Sequence, residues 1–455
     1  MDLDHERWYD ALRSHDPRFD GRLFIAVTTT RIYCRPICPA KRPLKKNVRI
    51  FACAAAAEGA GFRPCLRCRP EVAPWTSAWN GTSTTVSRAL RLIGEGALDA
   101  GDVDALAQRL GVTSRHIRRL FEEHLGASPI AIAQSRRIHF ARTLLIETSL
   151  PVTDVAFAAG FGSVRRFNTA MKTAYRMAPR DMRRGRVPAG GDITVRLPYR
   201  KPFDYRGLLA FLKPRSIPGV EVVEHDEYRR TISVGGIHGA IRVRDGGDAL
   251  LLSVPRVFTQ TLKPIVDRVR RLFDLFADPD TIGDDLARDT SMRNLVRRWP
   301  GARVPGAWDL FELAVRAVVG QQVSVAAATT LMGRIAERYG TRIDTGDPQL
   351  TLVFPDAATL RDAPIDGMPA TRAATIRAIA SADLEHITDL TSIRGVGPWT
   401  ASYIAMRRGD PDAFPAGDLV LRKAAGNISE RELLARAEAW RPWRAYAALL
   451  LWRSA

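Results

Sequence analysis

The chain has 455 residues, 68 Lys+Arg against 49 Asp+Glu, a formal net charge of +19 at neutral pH and five cysteines. That length exceeds what one hydrophobic core ordinarily serves, so three or four domains are expected. No apolar run approaches the roughly 18 residues of a membrane span, so no membrane partner is expected, and so basic a chain calls for a polyanion, nucleic acid before membrane surface.

Four of the cysteines fall early, Cys34 and Cys38 in a CxxxC and Cys65 and Cys68 in a CxxC. Each short loop presents two sulfurs to one centre, which suits a single tetrahedral Zn2+ with Zn–S near 2.3 Å or, alternatively, disulfides. The opening MDLDHERWYD has neither a basic nor an apolar signal region, so a cytoplasmic, reducing address is expected, which favours zinc. Cys53 stands apart and reads as a small buried hydrophobe. The positive charge is concentrated here: residues 1–186 hold 31 Lys+Arg against 17 Asp+Glu. The run Lys41, Arg42, Lys45, Lys46, Arg49 is either a solvated face or a set of phosphate contacts.

Two seams rich in turn formers, residues 70–85 and 183–192, enclose a helical region with an internal repeat. In the first copy Leu106, Ala107 and Leu110 mark a helix, Gly111 a turn, and Ser114 caps a second helix with Ile117, Leu120 and Phe121 inward, leaving Arg115, His116, Arg118 and Arg119 outward. In the second copy Val155, Ala156 and Ala159 lead to Gly160, and Ser163 caps a helix with Phe167 and Met171 inward and Arg165, Arg166, Asn168 and Thr169 available. Each copy reads as helix-turn-helix, whose second helix fits a major groove. Joined by RRIHFARTLLIET, the two resemble the AraC-type regulator DNA-binding domain.

The segment from 16 to 71, with DPR at 16–18, the CRPxC loop and GFRPCxRC, resembles the amino-terminal domain of the Ada family, which removes methyl groups from alkylated DNA phosphates. The resemblance implies that Cys34 accepts the methyl group and that Cys34, Cys38, Cys65 and Cys68 hold the zinc, with Arg35 and Arg42 as DNA contacts. A zinc-bound thiolate is a nucleophile that needs no proton removed, and a methylphosphotriester carries an electrophilic methyl. Methylating one of four thiolates around a divalent ion moves the formal charge from −2 to −1, which should tighten binding to phosphates.

Beyond residue 192 the pattern turns to short strands, ITVRL, VEVVEH, YRRTISV, IRVR and ALLLSV, with one helix, YRGLLAFL, and from about Pro264 to helices. The Gly395-Val396-Gly397 turn lets backbone N–H groups meet a phosphate, although a GxG turn alone is weak evidence. Asp418 follows Gly397 by twenty-one residues and precedes the apolar LVLRKAA, where an N-cap is its ordinary role. Together with VRAVVGQQVSVAAATTL and AEAWRPWRAYAALLLW, this spacing resembles the helix-hairpin-helix DNA glycosylases, most closely those of the 3-methyladenine DNA glycosylase II (AlkA) type.

The resemblance implies Asp418 as the catalytic carboxylate, Tyr403 and Trp452 as base-stacking residues with Trp399 beside them, Gly395 and Gly397 as phosphate contacts, and Gln322 at the wedge position, where AlkA has an apolar residue. Trp399 stands where bifunctional members carry a Schiff-base lysine, so simple hydrolysis is expected. An aromatic slot would favour a cationic alkylated purine. Trp440 and Trp443 read as core, and the stretch between Ala380 and the hairpin is short for the family. No counterpart of the Ada Pro-Cys-His-Arg acceptor is found, so repair of O6-methylguanine is not expected.

The expected architecture is multidomain: a small α/β zinc domain (1–75), an all-α double helix-turn-helix domain (83–186), an α+β, TBP-like domain (192–259) and an all-α helix-hairpin-helix glycosylase domain (260–455). The expected partners are alkylated and promoter double-stranded DNA and RNA polymerase. The expected function is methylation-switched transcription with hydrolytic base excision; the alternative is a methylation-sensing regulator whose glycosylase half is inactive.

Overall fold

The structure is a computed structural model that describes residues 9, 19–40, 43–73, 84–94, 96–99, 101–183, 191–384, 387 and 389–455. It divides into two compact units: the described residues up to Pro198 with Arg256–Asp267, and Tyr199–Pro255 with Arg268–Ala455. Among the described residues no helix is long and apolar enough to cross a membrane.

The first unit opens with β1 (Phe24–Val27), β2 (Ile32–Cys34), β3 (Val48–Phe51), α1 (Ala54–Gly59) and β4 (Arg63–Pro64). The sheet runs β3-β1-β2-β4, antiparallel except for the parallel β2–β4 pair. Alternation splits its apolar residues: Phe24, Ala26 and Tyr33 pack with Ala54, Ala57 and Phe62, while Leu23, Ile25 and Val48 form a second cluster. Cys53 is more than a small hydrophobe. Its sulfur accepts from the Ala56 N–H at 3.4 Å, capping α1, and its thiol donates to the Leu125 carbonyl at 3.3 Å.

Helices α2 (Thr84–Gly94), α3 (Val103–Leu110), α4 (Ser114–Leu125), α5 (Pro129–Glu147), α6 (Val152–Ala158) and α7 (Val164–Tyr175) follow. Asp102 caps α3 through the Ala105 N–H at 2.8 Å. The cap of α4 is Thr113 rather than Ser114: Thr113 has the extended backbone and its Oγ1 accepts from the His116 N–H at 3.2 Å, so Ser114 is already helical. Ser163 caps α7 as expected, accepting from the Arg166 N–H at 3.2 Å. Ile117 and Phe121 in the first copy and Phe167 and Met171 in the second are buried, whereas Leu120 is only half-buried. Helix α5 buries residues all round its circumference, Ile132, Ile138, Ala141 and Leu145 among them, which makes it the spine shared by both copies. Strand β5 (Ile193–Pro198) closes this part of the chain.

The second unit contains α8 (Tyr205–Leu212) and an antiparallel meander, β6 (Glu221–Glu224), β7 (Glu227–Val234), β8 (Ile237–Asp245) and β9 (Ala249–Val254). The division between the units falls within α9 (Leu262–Leu272). Then come α10 (Pro279–Leu286), α11 (Thr290–Arg298), α12 (Leu310–Val319), α13 (Val325–Tyr339), the two-residue pair β10 (Thr341–Arg342) and β11 (Leu352–Val353), α14 (Ala357–Arg361) and α15 (Ala370–Ser381). Last are α16 (Pro398–Arg408), α17 (Leu419–Ala424), α18 (Glu430–Ala437) and α19 (Arg444–Ser454).

These helices enclose two cores. One gathers Leu313, Val318, Met332 and Ile376, the other Leu421, Leu433, Trp440 and Leu449, and Tyr403 on α16 packs against both. Trp440 and Trp443 are core residues, their indoles donating to Asp289 and Asp285 at 2.9 Å each.

Candidate functional site

The sheet order assembles the first centre. Pairing of β2 with β4 puts the Cys65 N–H on the Tyr33 carbonyl at 2.9 Å, so the strand ending in Cys34 lies beside the start of the CxxC loop. A turn closes the other loop, Cys38 N–H to Arg35 carbonyl at 3.1 Å. The four sulfurs of Cys34, Cys38, Cys65 and Cys68 lie within 4.8 Å of one another. A tetrahedron with 2.3 Å bonds has edges of roughly 3.8 Å, so the set fits one zinc ion. The chemistry of the donors agrees. Four thiolates this close repel one another, and a divalent cation held among them offsets that repulsion. Cys34 is half-buried and the other three are buried.

Hydrogen bonds partly invisible in the sequence support the cluster. The Arg35 N–H donates to the Cys68 sulfur at 3.3 Å, and its guanidinium donates to the Cys68 carbonyl at 3.2 Å and to Asp20 at 2.8 Å. Arg35, read from the sequence as a DNA contact, is therefore turned inward with 13% of its side chain exposed, and the buried Asp20 that turns it gave no signal. Tyr33, beside Cys34, donates to Glu58 at 2.8 Å and meets His139 of α5 at 3.0 Å. Arg42, Lys41 and the DPR motif at 16–18 lie outside the described residues.

The helix-turn-helix pair leaves Arg115 and Arg118 exposed on α4 and Arg165 and Arg166 exposed on α7, with Asn168 half-buried. These are the helix faces expected to meet a groove.

The second centre forms where the hairpin meets α17. Gly395 has φ 91°, and a Cβ there would stand 1.9 Å from the Thr375 Oγ1, so both conformation and packing demand glycine. Gly397 is instead extended, caps α16, and has nothing within 4 Å of a built Cβ, leaving its backbone approachable. Asp418 caps α17, its Oδ1 accepting from Val420 and Leu421 N–H at 2.9 and 3.0 Å. It has two further donors: the Trp452 indole to Oδ1 and the Trp399 indole to Oδ2, each at 3.1 Å. Trp399 stacks on Tyr403 with centroids 5.4 Å apart and planes at 10°, and Trp452 meets Tyr403 edge-on at 6.3 Å. The three aromatics named from the sequence are thus brought together, two of them donating to one carboxylate and Tyr403 packed against both.

Gln322 is exposed at φ 55°, a left-handed conformation uncommon for glutamine, between α12 and α13. Its neighbour Gln321 ties this loop to the hairpin, donating to the Gly395 carbonyl at 3.1 Å and to Thr400 at 2.9 Å, while Arg372 donates to the Gln321 carbonyl at 2.7 Å. Sequence reasoning missed Gln321 because its neighbour held the wedge position. It also missed Arg407, whose Nη1 donates to the Tyr403 hydroxyl at 2.7 Å; the signal was its place one turn after Tyr403 on α16.

Residues 7–71 match the family described as the metal binding domain of Ada, 106–185 a helix-turn-helix domain and 194–309 the AlkA N-terminal domain. The "Probable bifunctional transcriptional activator/DNA repair enzyme AlkA" of Mycobacterium tuberculosis (strain CDC 1551 / Oshkosh) is 41% identical over 481 residues, covering 99% of this chain and 97% of that protein. The DNA-3-methyladenine glycosylase 2 of Escherichia coli (strain K12) is 30% identical over 285 residues, 56% of this chain and 95% of its own length. Among solved structures, a 3-methyladenine DNA-glycosylase from Archaeoglobus fulgidus covers 57% of this chain and 97% of its own, with a TM-score of 0.50 at 20% identity, a likeness of fold.

Proposed function

Because the chain belongs to the family of bifunctional transcriptional activators and DNA repair enzymes of the AlkA type, with an Ada-type zinc-binding domain, we propose that it senses DNA alkylation through Cys34 and excises alkylated bases through Asp418. For the sensor, the carrying observation is that Cys34 alone among the four ligands is more than marginally exposed. A bound zinc keeps the sulfurs ionised at neutral pH. The Cys34 sulfur attacks the methyl carbon of a methylphosphotriester; the S–C bond forms, the C–O bond breaks, and the phosphodiester leaves as an anion. No step regenerates the thiolate, so each molecule turns over once. The loss of one negative charge tightens the grip of Arg115, Arg118, Arg165, Arg166 and Asn168 on promoter DNA, and recruitment of RNA polymerase follows in the cytoplasm.

For excision, the carrying observation is that Asp418 sits where the indoles of Trp399 and Trp452 converge, with Tyr403 between them. An alkylated purine turned out of double-stranded DNA stacks among these rings, Gln322 fills the gap it leaves, and Gly395 and Gly397 hold the phosphate. As the N-glycosidic bond breaks, the Asp418 carboxylate stabilises the positive charge growing on the sugar, and water completes the hydrolysis. Position 399 offers an indole and no amine, so the abasic site is left uncleaved. The test is release of free 3-methyladenine from methylated duplex DNA, with mass spectrometry for a methyl group on Cys34. Methyl transfer without any base release would leave the regulator with an inactive glycosylase half.

A further inference from the structure

Gln322 is left-handed without the freedom of glycine, and it opens a stretch that the second unit leaves bare: Gln322 to Ala327 are all exposed, with the apolar Val323 and Val325 on either side of Ser324. A left-handed residue other than glycine persists where its surroundings impose that conformation. Here the imposing groups can be named. The Gln321 carbonyl and the Gln322 N–H share one peptide plane, so a bond that fixes the carbonyl also fixes the φ of Gln322. Arg372 on α15 donates to that carbonyl at 2.7 Å, and on the far side Ser324 starts α13 by accepting from the Ala327 N–H at 3.2 Å. The side-chain amide of Gln321 donates to the Gly395 carbonyl at 3.1 Å and to the hydroxyl of the buried Thr400 at 2.9 Å. One residue thus ties the bare loop to α15, to α16 and to the hairpin turn, where Gly395 packs closely on Thr375.

We infer that Gln321 and Arg372 are positioning residues for base extrusion: they impose the left-handed backbone on Gln322 and set its distance from the hairpin, so that the loop is formed before DNA arrives. The bare stretch then lies against double-stranded DNA at the gap left by the extruded base. The bond from Gln321 to the hairpin favours that occupant, because the accepting carbonyl is two residues from Gly397, whose backbone is approachable by a phosphate. Extrusion requires a side chain to take the place of a stacked base while the strand beside it is held. A stiff link between the two contacts keeps them in register, whereas a loop free to relax to negative φ would turn Gln322 away and leave the gap unfilled. Gln321 and Arg372 act through Gln322 and the hairpin. The inference rests on the excision reading and adds to it two residues that touch neither base nor sugar.

The test uses the full-length zinc-loaded protein and single-turnover release of 7-methylguanine from two duplexes, one with the lesion paired to cytosine and one with it opposite an abasic site. In the second no base pair has to be broken. Arg372→Met should slow release from the paired duplex by about tenfold and from the unpaired one by no more than about twofold. Arg372→Lys, which keeps a donor for the carbonyl, should recover most of the loss. Gln321→Leu should show the same selective loss, and it replaces Arg372→Met if denaturant melts show that variant unfolded. A merely structural role would slow both duplexes alike. Equal losses on the two, or no loss on the paired one, overturn the inference. If the wild-type chain releases the base from neither duplex, the excision reading falls, and 2-aminopurine placed beside the lesion decides this inference without catalysis. Its fluorescence should rise when the wild type binds and stay low with Arg372→Met; no rise with the wild type, or an equal rise with both, overturns it.

Discussion

The zinc-binding cluster and the arginine-lined cavity of the second unit present opposite charge problems. In the first, four sulfurs within 4.8 Å of one another have no guanidinium among their hydrogen-bond partners in the described residues, and a cation from outside must balance them. In the second, four guanidiniums line a cavity with two carboxylates, and the groups that balance charge are side chains of the protein itself, Glu221 and Glu312. An imported ion can be lost, whereas an internal counter-charge is as permanent as the fold. The first centre is therefore conditional on metal, and the second is set by the fold alone.

The largest expected effect breaks this comparison at its conditional end. Chelation of the metal, or Cys65→Ser, should unfold residues 1–75, because binding to such a site supplies roughly 10 kcal/mol or more of folding free energy to a small domain. Limited proteolysis with and without chelator reads the outcome. A zinc domain that stays protease-resistant without metal would show that its contacts with α5, such as Tyr33 to His139, suffice.

Next in size is Asp418→Asn. An amide keeps most of the cap on α17 but cannot offset a sugar cation, so excision should fall on the order of 100-fold while binding to abasic DNA survives. If binding is lost in parallel with excision, Asp418 is a structural cap alone, which is the ordinary role of aspartate at that place.

A third way of handling buried charge is to delay it, and Asp274 keeps its proton to a higher pH than an ordinary carboxyl does. Burial pushes its carboxyl up to about 6, despite the Tyr446 hydroxyl donating to it at 2.8 Å and the Val304 N–H at 3.2 Å. With an ordinary value of 3.8 in the unfolded chain, its neutral form contributes stability that is fully present below about pH 4 and is lost as pH rises through 6. The wild-type stability should accordingly drop by about 3 kcal/mol relative to Asp274→Asn across that window. Denaturant melts at pH 4, 5, 6 and 7 measure the difference, and parallel profiles would rule the effect out.

Much of both centres was legible because their chemistry restricts residue type at short range. Two thiols on each of two short loops mark a zinc site, and Asp418 announces itself before an apolar helix after a Gly-Val-Gly turn. What escaped depends on partners remote in the chain. Nothing local marks Asp20 as the group that turns Arg35 inward, or Gln321 as the tie between its loop and the hairpin. The cap of α4 was misplaced by one residue because Thr113 and Ser114 are both competent caps, and only backbone geometry separates them.

The smallest expected effect sharpens the link between the sensor and the helices that would read DNA. Arg165 and Arg166 are exposed on α7, one and two residues after the first helical residue, where a recognition helix meets base edges and phosphates. Neither touches the cysteines, so Arg165→Ala and Arg166→Ala should leave methyl transfer to Cys34 intact while weakening promoter binding by roughly 1–3 kcal/mol each. The two can differ in kind. A phosphate contact lowers affinity for every sequence alike and reduces the slope of log affinity against log salt by about 1, whereas a base contact leaves the slope unchanged and relaxes preference at one position. Titrations at two salt concentrations, on promoter and scrambled duplexes, with methylated and unmethylated protein, resolve these cases. If the variants bind as the wild type does in all of them, α7 is not a reading helix and the charge change at Cys34 must act through other contacts.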